Sequence, residues 1–285
     1  MSRRRSVSGS ASWSMPTERR SFLILAGLSA AALTCFGWLL GCTPGGACLK
    51  AATSVDGVTS TGSRGAILLL ALSLVIWLVR LIWLLARAAA ATRRLPQLSA
   101  RPAALAAAMA RTGVGRVSCL AAEAPAAFCV GTLQPRILVS EGLVRYLQGE
   151  ELDAVLIHEH AHARSREPLL RAGYQAAAEV FFYIPLVNWW VRRQIEDSEL
   201  GADRAALQRL GPRPVAGALW RLSRGMTLQG AAAFADVAQL RVTQVLGDPL
   251  PPRTPAFSIV GTSLMGLVLA FEIGFCLVEA VQHLI

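Results

Sequence analysis

Residues 22–41 pass twenty positions without a charged side chain, and two further apolar runs follow at 65–85 ("GAILLLALSLVIWLVRLIWLL") and 256–278. At 1.5 Å per residue each spans a hydrocarbon core of about 30 Å, so each is expected to be a transmembrane helix. Three such runs leave room for one modest domain between the second and the third. The expected layout is therefore 1–89, an N-terminal tail with two spans and a short outer loop; 90–253, a folded domain; and 254–285, a last span. Composition agrees: 54% of the 285 residues are hydrophobic and only 16% charged, well below the roughly one quarter of soluble domains.

The formal charge is +10, with Lys50 the single lysine. The arginines cluster beside the apolar runs, at Arg3–Arg5, Arg19 and Arg20, and then at Arg87, Arg93, Arg94 and Arg101. In that position they fix topology rather than form a DNA surface, and no direct nucleic-acid partner is expected. They place the N-terminus and the region after Arg87 in the cytoplasm, and the loop 42–64 outside. "LLGC" at 39–42 resembles a lipoprotein cleavage box, but the run before it exceeds a signal core of about 7–15 residues. An uncleaved anchor is expected.

Arg80 and Glu272 lie inside spans at depths that differ by roughly 13 Å at 1.5 Å per residue, so they are not expected to pair. Arg80 is expected to snorkel to the headgroups, and Glu272 is a candidate functional group. The six cysteines show no metal-binding spacing. Cys42 and Cys48 share the outer loop and are placed to pair there, whereas Cys35, Cys119, Cys129 and Cys276 read as small apolar fillers.

Within 90–253, the alanine-rich stretch 101–111 reads as a helix. "AFCVG" at 127–131 and "RILVS" at 136–140 read as a hairpin or neighbouring strands around "TLQP". Ser140 is placed to cap a short helix through Leu147; Gly149 breaks the pattern, and Glu150 and Glu151 open the next helix with the sign its dipole favours.

That helix carries "AVLIHEHAHARSREPLL" at 154–170, with three of the chain's four histidines. Residues four apart share a helix face, while residues two apart point about 200° from one another. His158 and His162 can therefore grip one ion, and His160 faces elsewhere. With Glu159 the pattern is H-E-x-x-H, in which two imidazoles bind zinc and the glutamate acts as general base. Leu152, Val155 and Leu156 form an apolar stripe, so the helix is expected in the core with its ligands at the inner face.

An open catalytic site needs a third protein ligand. "EDSELGADRAAL" at 196–207 offers Glu199 and Asp203 four apart, one to reach the metal and the other to orient a liganding histidine. Glu196 and Asp197 compete on spacing, and the bland alternative is a solvated acidic face.

Four pieces in order, "FCVGTLQPRILVSEGL", "EELDAVLIHEHAHARSREPL", "FFYIPLVNWWVRRQIE" and "ELGADRAAL", resemble the membrane gluzincin metallopeptidases of the BlaR/MecR-type antirepressor family, with HtpX-type and CAAX prenyl proteases more distant. The resemblance implies an α-helical integral membrane protein with an α+β gluzincin-like zinc metallopeptidase domain in a bacterial cell membrane. It implies Zn2+ held by His158, His162 and Glu199, with Glu159 as catalytic base, Asp203 behind a liganding histidine, and a strand at 128–131 as the cleft edge for an extended substrate. Its substrates would be proteins or peptides, such as a cytoplasmic repressor or membrane proteins under quality control. One departure stands out: the family usually has aspartate before Pro-Leu, where this chain has Glu167, which leaves the end of the histidine helix open.

The segment 176–191 is apolar but short and contains Pro185; it is expected to lie in, or dip into, the membrane interface. The rival functional class is a non-catalytic membrane signalling or scaffold protein with a structural metal site.

Overall fold

The structure, a computed structural model, describes residues 55–98, 100–225 and 228–284. The expected first span at 22–41, its flanking arginines, the 39–42 box and Cys35, Cys42 and Cys48 lie outside the described residues. Among the described residues, contacts gather 72–259 into one compact unit and 55–71 with 260–284 into another.

α1 (Val55–Arg93) is a single 39-residue helix. Its stretch Ile67–Arg93 is long and apolar enough to cross a membrane, and none of that window is buried in protein. It outruns the expected 65–85 because 86–93 is rich in alanine and arginine, both strong helix formers. The last helix of the chain, Phe257–Leu284, contains a second such window, Phe257–Gly274, and carries Glu272 half-buried.

After α1 comes α2 (Ala103–Thr112), ended by Gly113 in the left-handed region. Three short strands follow: β1 (Val117–Leu120), β2 (Ala127–Val130) and β3 (Arg136–Ser140), in the order β1-β3-β2. β2 and β3 form the expected antiparallel hairpin, with Phe128 opposite Leu138. β1 pairs with β3 in parallel and was not legible, since "VSCL" is four residues without alternation. Ile137, Leu138 and Val139 are all at most 1% exposed, as a central strand covered on both faces requires. β2 is left on the edge.

Ser140 caps α3 (Glu141–Tyr146): its Oγ accepts from Leu143 N at 3.0 Å and also from Ala126 N at 2.9 Å, which pins the approach to β2. Gly142 sits where a Cβ would lie 1.8 Å from the backbone oxygen of Glu123. Gly142→Ala is therefore expected to cost about 1–3 kcal/mol or more. A lowered denaturation midpoint in detergent would show it.

α4 (Glu150–Arg164) starts after Gly149, whose φ of 53° favours glycine. Leu152, Val155 and Leu156 are buried with Leu105, Val117, Ile137, Val139 and Leu143, which makes α4 the central element of the core. Arg111 grips buried Asp153 with two hydrogen bonds of 2.8 Å and so ties α2 to α4. Next come α5 (Glu167–Val180), α6 (Pro185–Leu210), α7 (Pro212–Gly225) and α8 (Leu228–Leu246).

The segment 176–191 is divided between two helices: α5 ends at Val180 and α6 restarts at Pro185, whose fixed φ and missing N–H suit a first helical turn. Arg80, expected to snorkel, meets a protein partner: its Nε pairs with Oε2 of Glu179 on α5, while Trp77 Nε1 donates to Gly173 O at 3.2 Å.

Candidate metal centre

The helical period places His158 and His162 one turn apart on α4, with their Nε2 atoms 3.0 Å apart and their rings edge to face at 80°. Glu199, in the middle of α6, brings Oε2 to 3.4 Å from His158 Nε2 and Oε1 to 3.9 Å from His162 Nε2. These donor atoms all lie within 4.8 Å of one another.

That spacing fits one small cation. Tetrahedral bonds of about 2.0–2.1 Å hold neighbouring ligand atoms roughly 3.3 Å apart. Two imidazole nitrogens and a carboxylate also match the donor chemistry zinc takes in open sites. Charge agrees as well. The charged residues lining the surrounding cleft are four carboxylates, Glu159, Glu167, Glu199 and Asp203, and two guanidiniums, Arg171 and Arg241, an excess that a dication would balance.

Each imidazole is aimed by its other nitrogen. His158 Nδ1–H donates to Asp203 Oδ1 at 2.8 Å, and His162 Nδ1–H donates to Glu167 Oε2. Both Nε2 lone pairs are thereby turned to the shared point. Asp203 is 1% exposed and Glu167 3%, so neither belongs to a solvated acidic face. Burial works against charge on His158, yet its bonds to Asp203 and Glu199 outweigh burial and raise it to about 9: the site favours positive charge here. Despite burial, His158 and Arg241 hold the Glu199 carboxyl well below the usual carboxylate range.

Glu159 lines the same cleft, next along the helix from His158, and burial raises its carboxyl above the ordinary value. Glu196 and Asp197, the competitors on spacing, are instead engaged by Arg253 at 3.1 and 2.9 Å. His160 belongs neither to the donor cluster nor to the cleft lining. His160→Ala is accordingly expected to keep the metal content of the unaltered chain, as elemental analysis would show; a loss equal to that of His158→Ala would contradict the helix-face assignment.

Four residues of the centre were not assigned from sequence. Glu167 had read as a departure of unknown effect; it opens α5 directly after Arg166, which adopts a left-handed φ of 53° and turns the chain so that the longer side chain meets His162. Ser198 donates to the same Glu167 oxygen at 2.5 Å. Arg171 follows Glu167 by one turn, a spacing legible in retrospect. Arg241 follows Asp203 by 38 residues on another helix, and no local pattern points to it.

The cleft holds about 480 Å³, and besides these polar groups it is lined by Val155, Val215, Leu219 and Leu222. Ala127, Phe128 and Cys129 of the edge strand form one wall. Cys119 is a buried filler as expected, whereas Cys129 faces the cleft; burial, with Glu159 adding to it, pushes that thiol up to about 12, where it stays protonated.

A mostly helical domain with a small sheet, in which two imidazoles and a carboxylate converge beside a further acid, has the donor set and the neighbouring acid that a metallopeptidase site requires. The family model for the BlaR1 peptidase M56 matches residues 50–215, more than half of the chain, and the protein belongs to that family. Membership implies a membrane-associated metallopeptidase, in keeping with the two apolar helices. Comparison with curated proteins finds no match.

Proposed function

We infer that this protein is an integral membrane zinc endopeptidase whose ion is held by His158, His162 and Glu199. The observation that carries the reading is the convergence of both Nε2 atoms and the Glu199 carboxylate on one point, with a further acid, Glu159, in the same cleft. Zinc held there supplies a Lewis acid that polarises the scissile carbonyl and lowers the pKa of water.

The remaining work falls to the chain itself. Glu159 accepts a proton from the attacking water and passes it to the leaving amine; its raised affinity for a proton suits both transfers. The outer edge of β2 is placed to pair with an extended peptide, which would lie across the cleft. Asp203 and Glu167 keep the two imidazoles aimed.

The arginines that flank the spans support a cytoplasmic site within 90–253, between membrane segments in 1–89 and 254–285, and the family resemblance supports a bacterial inner membrane. The junction of α5 and α6, with Phe182 in the break and Trp190 in the second turn of α6 both exposed, would rest in the bilayer interface. The substrate is a protein: a cytoplasmic repressor, or a membrane protein under quality control. Removing the metal from the purified full-length protein with a chelator is expected to abolish cleavage of a casein-type substrate, and zinc is expected to restore it. Cleavage that survives complete metal removal would exclude the reading.

A further inference from the structure

Two guanidiniums from different helices meet at Glu199. Arg171 on α5 donates from Nε to Glu167 Oε1 and from Nη2 to Glu199 Oε1, both at 2.5 Å. Arg241 on α8 takes Asp203 in a fork, Nε to Oδ2 at 2.6 Å and Nη2 to Oδ1 at 2.7 Å, and its Nη1 lies 3.4 Å from Glu199 Oε2. Glu167 is the partner of His162, and Asp203 that of His158. Each arginine therefore ties Glu199 to the carboxylate behind one histidine.

We propose that Arg171 and Arg241 are positioning residues of the metal centre, which lock the three carboxylates into one frame and leave Glu199 to offer Oε2 as its single donor. The inference rests on the reading of His158, His162 and Glu199 as metal ligands. Arg171 occupies Oε1 with a short hydrogen bond, whereas Oε2 has the longer contact to Arg241 and lies nearer the His158 nitrogen. A planar fork fixes the angle of a carboxylate as well as its charge; a lysine ammonium fixes only the charge. Arg241 reaches the site from α8, beyond the residues matched by the family model.

Charge and position make opposite demands, which renders the idea testable. If the guanidiniums served only to offset negative charge, deleting one would make the site more negative and tighten a dication, and lysine would replace either without effect. If they position the ligands, Arg171→Lys and Arg241→Lys both weaken zinc although the charge is unchanged, by the roughly ten- to hundredfold typical of a lost outer partner.

The experiment is a zinc competition titration against a chromophoric chelator on the full chain in detergent, with the visible spectrum of the cobalt-loaded protein as a second readout. Arg171→Lys is expected to weaken zinc at least about tenfold and to lower the tetrahedral cobalt absorption, as Glu199 gains the freedom to bind through both oxygens. Its side chain is 44% exposed, so this variant keeps the fold even where Arg241→Lys, at a buried site, does not. Unchanged or tighter zinc binding with an unchanged cobalt spectrum in Arg171→Lys overturns the proposal while leaving the metal site intact. Failure of the unaltered protein to bind zinc overturns the site reading and this inference with it.

Discussion

Replacing Glu159 with glutamine is expected to leave zinc bound and to lower peptide cleavage by about 10²- to 10⁴-fold, the usual contribution of a positioned general base. At about 1.4 kcal/mol per factor of ten, that is roughly 3–5 kcal/mol of barrier. The amide matches the carboxyl in size, so the cleft keeps its shape; what is lost is the ability to take a proton. Glu159 is well placed for a clean result because it lies outside the three-donor cluster and lines the cleft beside it. The same variant separates the enzyme from the rival signalling or scaffold protein. A protein with a structural metal has no use for a proton acceptor in the cleft and would behave alike with glutamate or glutamine, whereas a peptidase would not. The measurement is turnover of a casein-type substrate by purified wild type and Glu159→Gln, with zinc content determined on both.

Glu199→Ala is expected to have the opposite profile, losing the metal first and activity as a consequence. It removes one of three protein donors and leaves Arg171 and Arg241 facing a gap where each had met a carboxylate. The loss of zinc affinity should exceed the ten- to hundredfold that removal of an outer partner costs. Asp203→Asn should fall within that range, because Asp203 touches the ring of His158 rather than the ion's position. Chelator competition on the three proteins tests the ordering, and equal affinities for Glu199→Ala and Asp203→Asn would contradict the division of roles between the two acids.

What could be read from sequence followed from periodicity. The four-residue spacing of His158 and His162, the apolar stripe beneath them and the break at Gly149 all express the 3.6-residue turn, and α4 runs from Glu150 to Arg164 accordingly. The hairpin was legible because two β-branched and aromatic runs flank a proline-containing turn, and Ser140 because an N-cap is a local signal. The same logic placed Glu199 and Asp203 on one helix face.

What was not legible is long-range. β1 is too short to alternate and gains its identity from pairing with β3. Arg241 reaches Asp203 from another helix, and Glu179 meets Arg80 across 99 residues, so neither partnership leaves a mark on local spacing. Glu167 illustrates a subtler loss. A longer acid where the resemblance has aspartate left the end of the histidine helix open, and the left-handed turn at Arg166 carries the extra methylene toward the His162 ring. The break at 181–184 did have a signal, Pro185, which the surrounding aromatic residues obscured.

The central claim is that His158, His162 and Glu199 hold one zinc ion, and elemental analysis of the purified, full-length protein tests it most directly. After exposure to zinc and removal of excess, wild type is expected to carry about one zinc per chain, while a His158→Ala, His162→Ala double variant, which lacks two of the donors an open site requires, carries essentially none. A wild-type protein that retains no zinc, or a double variant that retains as much as wild type, would contradict the account.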